Sequence, residues 1–316
     1  MSLRVLVTGG AGFVGTNLVA LLTGKTDWEV TVLDNEVSAS RRNLEPYPVA
    51  FLSGDVRDVE AVREAVSGQD VVVHLAADTR VMDSIDDPTL NFDVNAAGTL
   101  TLLEACRRAN VGRVVAASTG GAILGDAQPP IHEDLPARPL SPYGASKLAM
   151  EGYLHAYGGA YGMQTAALRF ANVYGPHSGH KGSVIAEFIR RMTAGEEITV
   201  FGDGTQTRDY VFVEDLVHGV LQVVENRSTG VFQLGTGTPT SINDLLKLLT
   251  DVVGSNASVR YEPARRGEVR DTWCDVGRAK RTFGFEPRTD LRAGLAATLA
   301  WFKEHSSHGQ PVGADR

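Results

Sequence analysis

Val5-Leu6-Val7-Thr8-Gly9-Gly10-Ala11-Gly12-Phe13-Val14-Gly15 stands near the start of a 316-residue sequence, and its reading decides the fold. Apolar residues run straight into glycines at 9, 12 and 15, and a helical pattern opens near Phe13. A strand that turns at once into a helix needs backbone freedom and close approach of main chains, which glycine allows. The helix start then offers unpaired N–H groups to a pyrophosphate. Glycines at this spacing carry little weight alone. With a strand before them and a helix after them they read as a dinucleotide cradle.

Further apolar runs lie at 30–33, 50–52, 71–75, 114–117 and 166–170, separated by helical spacing at 59–66 and 100–109. Continuous apolar runs alternating with helices indicate a parallel sheet buried on both faces, so the fold class is a doubly wound α/β Rossmann sheet. The second run ends on Asp34, beside Asn35 and nineteen residues beyond Gly15. A carboxylate there accepts from both ribose hydroxyls and repels a 2′-phosphate, which favours NAD over NADP. Asp55 and Val56 follow the third run, where an adenine would sit. Asp55 suits equally the N-cap of the next helix, and the two roles are compatible. His74 lies inside an apolar run and reads as a hydrogen-bonded core residue.

After Gly175-Pro176 the texture changes. A helix is expected over 183–194, a short strand over 198–201 and a helix over 213–224. The run at 231–234 is expected to return to the main sheet. Ser241 caps a helix over 242–253, and Asp290 opens the last one, over 291–302. The division expected is a dinucleotide-binding unit at 1–173 with a return segment near 231–240, a smaller, partly discontinuous substrate-binding lobe at 174–305, and a frayed tail at 306–316.

Apolar residues make up 43% of the sequence and charged residues 22%, ordinary values for a globular protein. The net charge of −8 and the scattered basic residues argue against nucleic acid as partner. No window approaches the length of a membrane span, and no secretory signal opens the sequence, so a cytoplasmic protein is expected. Cys106 and Cys274 stand far apart without metal-ligand spacing and read as buried free thiols.

Tyr143-Gly144-Ala145-Ser146-Lys147 opens a further helix, after Ser141-Pro142. Residues four apart share a helix face, so Tyr143 and Lys147 point into one site. A phenol is a poor base at neutral pH, but a neighbouring ammonium and a cationic nicotinamide favour the phenolate. Tyr-x-x-x-Lys alone is common on helices. Downstream of a dinucleotide motif, with Ser118-Thr119 ending the preceding strand, it indicates catalysis.

These segments together resemble the extended short-chain dehydrogenase/reductase family, in particular its nucleotide-sugar epimerases and dehydratases. The resemblance runs from residue 5 to about 302 and rests on the glycine turn, Leu75-Ala76-Ala77 after His74, Asn95, Ala117-Ser118-Thr119 and Tyr143 to Lys147. Further on it rests on Leu168-Arg169-Phe170-Ala171-Asn172-Val173-Tyr174-Gly175-Pro176, on Gly202-Asp203-Gly204-Thr205-Gln206-Thr207-Arg208-Asp209-Tyr210, and on Arg265-Arg266-Gly267-Glu268. It implies NAD held by Gly9, Gly12, Phe13, Val14, Gly15, Asp34, Asn35, Asp55, Val56, Leu75, Ala76, Ala77, Asn95, Tyr143 and Lys147. It implies Tyr143 as general base, Lys147 as its activator and a ribose ligand, and Ser118 or Thr119, with Thr119 favoured, as the hydroxyl meeting the sugar. Asn172 and Arg208 would touch the diphosphate, Arg265 a phosphate and Glu268 the nucleotide ribose. For Arg208 a surface ion pair with Asp209 is the plain alternative, and for Asn172 a turn.

Dehydratases of the family carry an Asp-Glu pair after the catalytic threonine, whereas here Gly120-Gly121-Ala122 follow Thr119. Loss of water needs an acid and a base. The expected reaction is therefore epimerisation at C4 of a UDP-hexose (glucose or galactose, an N-acetylhexosamine or a uronate) through a 4-keto sugar. A dehydratase, a 2-epimerase, a keto-sugar reductase and a non-catalytic NAD-binding sensor are the alternatives. By the family resemblance, Thr272 falls where a bulky side chain confines the pocket to glucose and galactose, so a threonine there is expected to leave room for an N-acetyl group. His177, His180 and Lys181 form a basic loop suited to a uronate carboxylate or simply to solvent. Helices near 100–109 and 143–157 match a pair that family members use to form a homodimer.

Overall fold

The six apolar runs of the first half become β1 (Arg4–Thr8), β2 (Glu29–Asp34), β3 (Ala50–Ser53), β4 (Val71–His74), β5 (Arg113–Thr119) and β6 (Gln164–Phe170). Then come β7 (Asn172–Tyr174), β8 (Ile198–Phe201), β9 (Thr207–Phe212), β10 (Gly230–Leu234), β11 (Pro239–Ser241) and β12 (Val259–Glu262). The structure, a computed structural model, describes residues 2–179, 181–264 and 269–306. The expectations for His180, Arg265, Glu268 and most of the tail lie outside the described residues.

Seven strands form one parallel sheet in the order β10-β6-β5-β4-β1-β2-β3. Val5, Val7, Val71 and Val73 face one side, against the helices Phe13–Lys25 and Val213–Glu225. Leu6, Val72, Val114 and Ala116 face the other, against Leu102, Leu103, Met150 and Leu154. Side chains of a strand alternate between faces, so a strand covered on both sides is apolar throughout. The order reverses between β1 and β4, which places the switch point beside the glycine turn.

A separate core gathers Phe188, Ile189, Ile198, Tyr210, Leu245, Leu249 and Leu299. Beside it lie a three-stranded sheet, β11-β9-β7, and the pair β12-β8. Among the described residues no helix is long and apolar enough to cross a membrane.

Two local readings change. The N-cap of the helix Val59–Val66 is Asp58, whose carboxylate accepts from the amides of Glu60 and Ala61; Asp55 stands three residues too early for it. The helix expected over 100–109 is Gly98–Arg108 and continues a π turn, Asp93–Ala97, and a short helix, Pro88–Phe92.

Candidate active site

The carboxyl ends of the sheet strands open onto one cleft of ≈1630 Å³ that continues to β9 and Thr272. Pockets for single small ligands run to about 1,000 Å³, so this cleft has room for two large ligands end to end.

At the glycine turn, Gly9 has φ 70° and donates its N–H to Leu33 O at 2.8 Å. A Cβ on Gly9 would stand 2.7 Å from Ala76 N, and one on Gly15 would strike Gly9 O. Close packing of main chain thus explains both glycines. Gly12 caps the helix Phe13–Lys25 without a side-chain bond, and the first intrahelical bond runs from Thr16 N to Gly12 O. The amides of Phe13, Val14 and Gly15 therefore have no partner within the helix, and all three residues line the cleft.

Asp34, at the end of β2, lines the same end. It accepts from Ala11 N (3.0 Å) and Glu36 N (2.8 Å), and burial pushes its carboxyl above the usual range. Asn35 donates to Asp55 at 2.9 Å, and Arg57 grips the same carboxylate with two nitrogens, which holds Asp55 well below the ordinary value. Val56, Leu75, Ala76 and Ala77 complete this wall.

Asn95 does not belong to it. It is buried behind the wall, where its amide accepts from Asp78 N at 2.9 Å and donates to Asp78 O at 2.8 Å and Ser146 Oγ at 3.1 Å. Its contacts fix the backbone that follows Ala77.

Ser141 caps the helix Pro142–Tyr161, accepting from Gly144 N, and proline fills the first turn. Tyr143 and Lys147 sit one turn apart, and both line the cleft. Lys147 Nζ donates to Ala117 O at 2.9 Å. Burial pulls this lysine down to about 8, opposed by the carboxylates of Glu151 and Asp78 and reinforced by Lys181. The Tyr143 phenol moves the opposite way to the expectation. Burial and then the Asp78 carboxylate push it up, because neither a buried site nor a like charge favours a phenolate.

Ser118 and Thr119 both line the cleft, with their side chains on opposite faces of β5. Ser118 is buried and its Oγ donates to Glu151 Oε1 at 2.6 Å. Thr119 ends β5 and lines the cleft half-exposed. His74 is a core residue: its Nε2 lies 3.1 Å from Thr99 Oγ1 and its Nδ1 2.7 Å from Thr8 Oγ1, and burial brings it down to about 3.

Asn172 begins β7 in register with Tyr210 and faces the cleft. Arg208 also lines it, donating to Thr207 O and Arg270 O. Its neighbour Asp209 is buried and accepts from Thr236, Gly237 and Cys274, with no ion pair to Arg208 among its hydrogen bonds. Thr272 bridges to Arg208, and its methyl would stand 3.1 Å from a Cβ on Gly121. Lys181 reaches across to Thr79 Oγ1 at 3.2 Å, beside Asp78.

A profile of the NAD dependent epimerase/dehydratase family matches residues 5–235. The chain belongs to that family. A putative UDP-glucose 4-epimerase of Methanocaldococcus jannaschii is 36% identical over 307 residues, which are 96% of this chain and 99% of the relative. A dTDP-glucose 4,6-dehydratase of Streptomyces griseus is 35% identical, over 99% of this chain and 98% of its own. The crystal structure of a UDP-glucose 4-epimerase from Thermotoga maritima with UDP-glucose superposes with a TM-score of 0.91 at 37% identity, over 96% of this chain and 99% of that one.

Membership in the epimerase/dehydratase family makes the chain an NAD-dependent enzyme, and its residues fit the cofactor. The packed glycines bare a helix start to an anion, and the Asp34 carboxylate stands where a ribose needs an acceptor. Gly120 and Gly121, at the positions where a dehydratase is expected to carry an Asp-Glu pair, open the short helix Gly120–Leu124. A Cβ at 120 would meet Gln233 Oε1 at 2.5 Å. Sequence reading missed three residues here: Asp78, Glu151 and Arg169. Glu151 left a trace in the repeat of four from Tyr143 through Lys147 to residue 151, and Arg169 stands inside the segment 168–176 that carries the resemblance, with no role assigned to it.

Proposed function

We propose that this enzyme interconverts the C4 epimers of a UDP-hexose, and the observation that carries the reading is Gly120-Gly121-Ala122 following Thr119 at the edge of the cleft. The glycine turn and Asp34 would hold NAD, which when bound would supply a reversible acceptor for the C4 hydride. Tyr143 takes the proton from the 4-hydroxyl and later gives it back. Its phenol, pushed up by burial and Asp78, depends on a nearby positive charge to release that proton, and Lys147 one turn away is the fixed one. Thr119 orients the sugar hydroxyl, since Ser118 is taken up by Glu151. Asn172 and Arg208 hold the diphosphate, so a 4-keto sugar turns over without leaving. The lobe at 174–305 forms this diphosphate and nucleoside end, with the small Thr272 admitting an N-acetyl group.

The active form is a homodimer of the cytoplasm. Phe92, Tyr153 and Tyr161 expose apolar surface near the helices Gly98–Arg108 and Pro142–Tyr161, and Cys106 and Cys274 are buried free thiols, as suits a reducing compartment.

The test is incubation of the purified protein, with and without added NAD, with UDP-glucose, UDP-N-acetylglucosamine or UDP-glucuronate, followed by proton NMR. The galacto isomer with no net NADH is the expected product. Tyr143→Phe should retain NAD and lose at least 10³-fold in kcat, near the 10²–10⁴ typical of proton transfer. A product lighter by water would assign dehydration instead.

A further inference from the structure

Glu151 and Arg169 form an ion pair whose side chains are 6% and 5% exposed. Arg169 Nε donates to Glu151 Oε1 at 2.9 Å and Nη2 to Oε2 at 2.8 Å, while its Nη1 is buried without a partner. A buried pair with an orphaned donor stabilises a fold less than well-packed apolar residues of the same volume. Its placement points to another purpose.

The helix Pro142–Tyr161 carries Tyr143, Lys147 and Glu151 at intervals of four, hence along one face. Two successive turns of that face are tied to two successive residues of β5: Lys147 Nζ to Ala117 O, and Ser118 Oγ to Glu151 Oε1. Arg169 lies opposite Ser118 in the β5–β6 register and braces the same carboxylate from the next strand. One tie alone leaves the helix free to roll about it; two ties at neighbouring turns fix both its rotation and its axial position. Tyr143 sits one turn before the first tie.

We propose that Glu151, braced by Arg169, is a positioning residue that fixes the helix Pro142–Tyr161 against β5 and so aims Tyr143 and Lys147 into the cleft. The inference rests on the epimerase reading for its kinetic readout only.

The test compares full-length Glu151→Gln, the double variant Glu151→Leu/Arg169→Met, and Ser118→Ala. Glu151→Gln keeps the shape and removes the charge; the double variant fills the site with apolar volume and should melt no lower than wild type. The expected result is a kcat at least ten-fold lower in both, KM for the nucleotide sugar within two-fold, and a shifted alkaline limb of the kcat–pH profile, where Lys147, Asp78, Lys181 and Tyr143 meet. A folded double variant with wild-type kcat and pH profile would overturn the proposal. So would a loss of activity that merely follows the folded fraction. If neither Glu151 variant folds, Ser118→Ala decides, since it removes one tie and leaves the ion pair: a three-fold or greater loss in kcat supports the proposal, and wild-type kcat overturns it. If wild type epimerises no nucleotide sugar, the epimerase reading fails separately. The positioning role is then read from NAD affinity by fluorescence quenching, with ten-fold weakening expected in the variants and unchanged affinity against it.

Discussion

Lys147 shows at the scale of one residue how this site sets function against stability. It is 3% exposed, with Ala117 O as its hydrogen-bond acceptor, and burial pulls it down to about 8 from 10.5. Between those values the unfolded chain binds a proton that the folded chain has released, so stability rises with pH across that window. Below about 8 the cost of burying the ammonium is present in full, roughly 3 kcal/mol at 1.36 kcal/mol per pH unit. Lys147→Met removes that cost but strands Ala117 O. The variant should be about 1–2 kcal/mol more stable at pH 7, with the advantage shrinking from pH 8 to 10 and activity lost. Urea titrations of both proteins across that range check it; a variant less stable at pH 7 would refute the assignment. The lysine itself was legible from Tyr-x-x-x-Lys. The direction of the Tyr143 shift was not, because it comes from burial in the folded site and then from Asp78, held beside the phenol by Asn91 and Asn95.

Among the elements, those with long-range periodicity were the legible ones. The six strands of the first half and the helices Val213–Glu225 and Ile242–Val253 announce themselves by apolar runs or helical spacing. β7 and β11, with three residues each, are too short to show a period, and β9 mixes polar and apolar residues because it pairs on both sides at the cleft. The π turn Asp93–Ala97 keeps an unbroken helical texture and gives no sign of itself in sequence. Ser141, by contrast, is a cap that the sequence states outright, with Pro142 after it. Ser141→Ala should cost about 1 kcal/mol of stability. Tyr143 lies in the turn it caps, with its own N–H donated to Ser84 Oγ, so kcat should fall several-fold with KM unmoved. Thermal melts and initial rates together check this; a melting change with kcat intact would show that Tyr143 does not depend on the cap.

Across the whole molecule, apolar surface at Leu90, Phe92, Tyr153 and Tyr161 remains uncovered in a single chain. Light scattering should give twice the chain mass, and Tyr153→Glu with Phe92→Glu should return a monomer that retains its fold by circular dichroism. A wild-type monomer at micromolar concentration would remove the dimer. The sheet has one further property that no single element carries. Its seventh strand, β10, is contributed some sixty residues after β6, beyond the segment that supplies β7, β8 and β9. During synthesis at about 5–20 residues per second, six strands emerge several seconds before the strand that covers the open edge of β6. A ribosome-bound nascent chain therefore presents an unpaired, apolar edge for that interval, the situation in which chaperones engage. Pausing of translation between residues 170 and 230 would lengthen that exposure and lower the soluble yield.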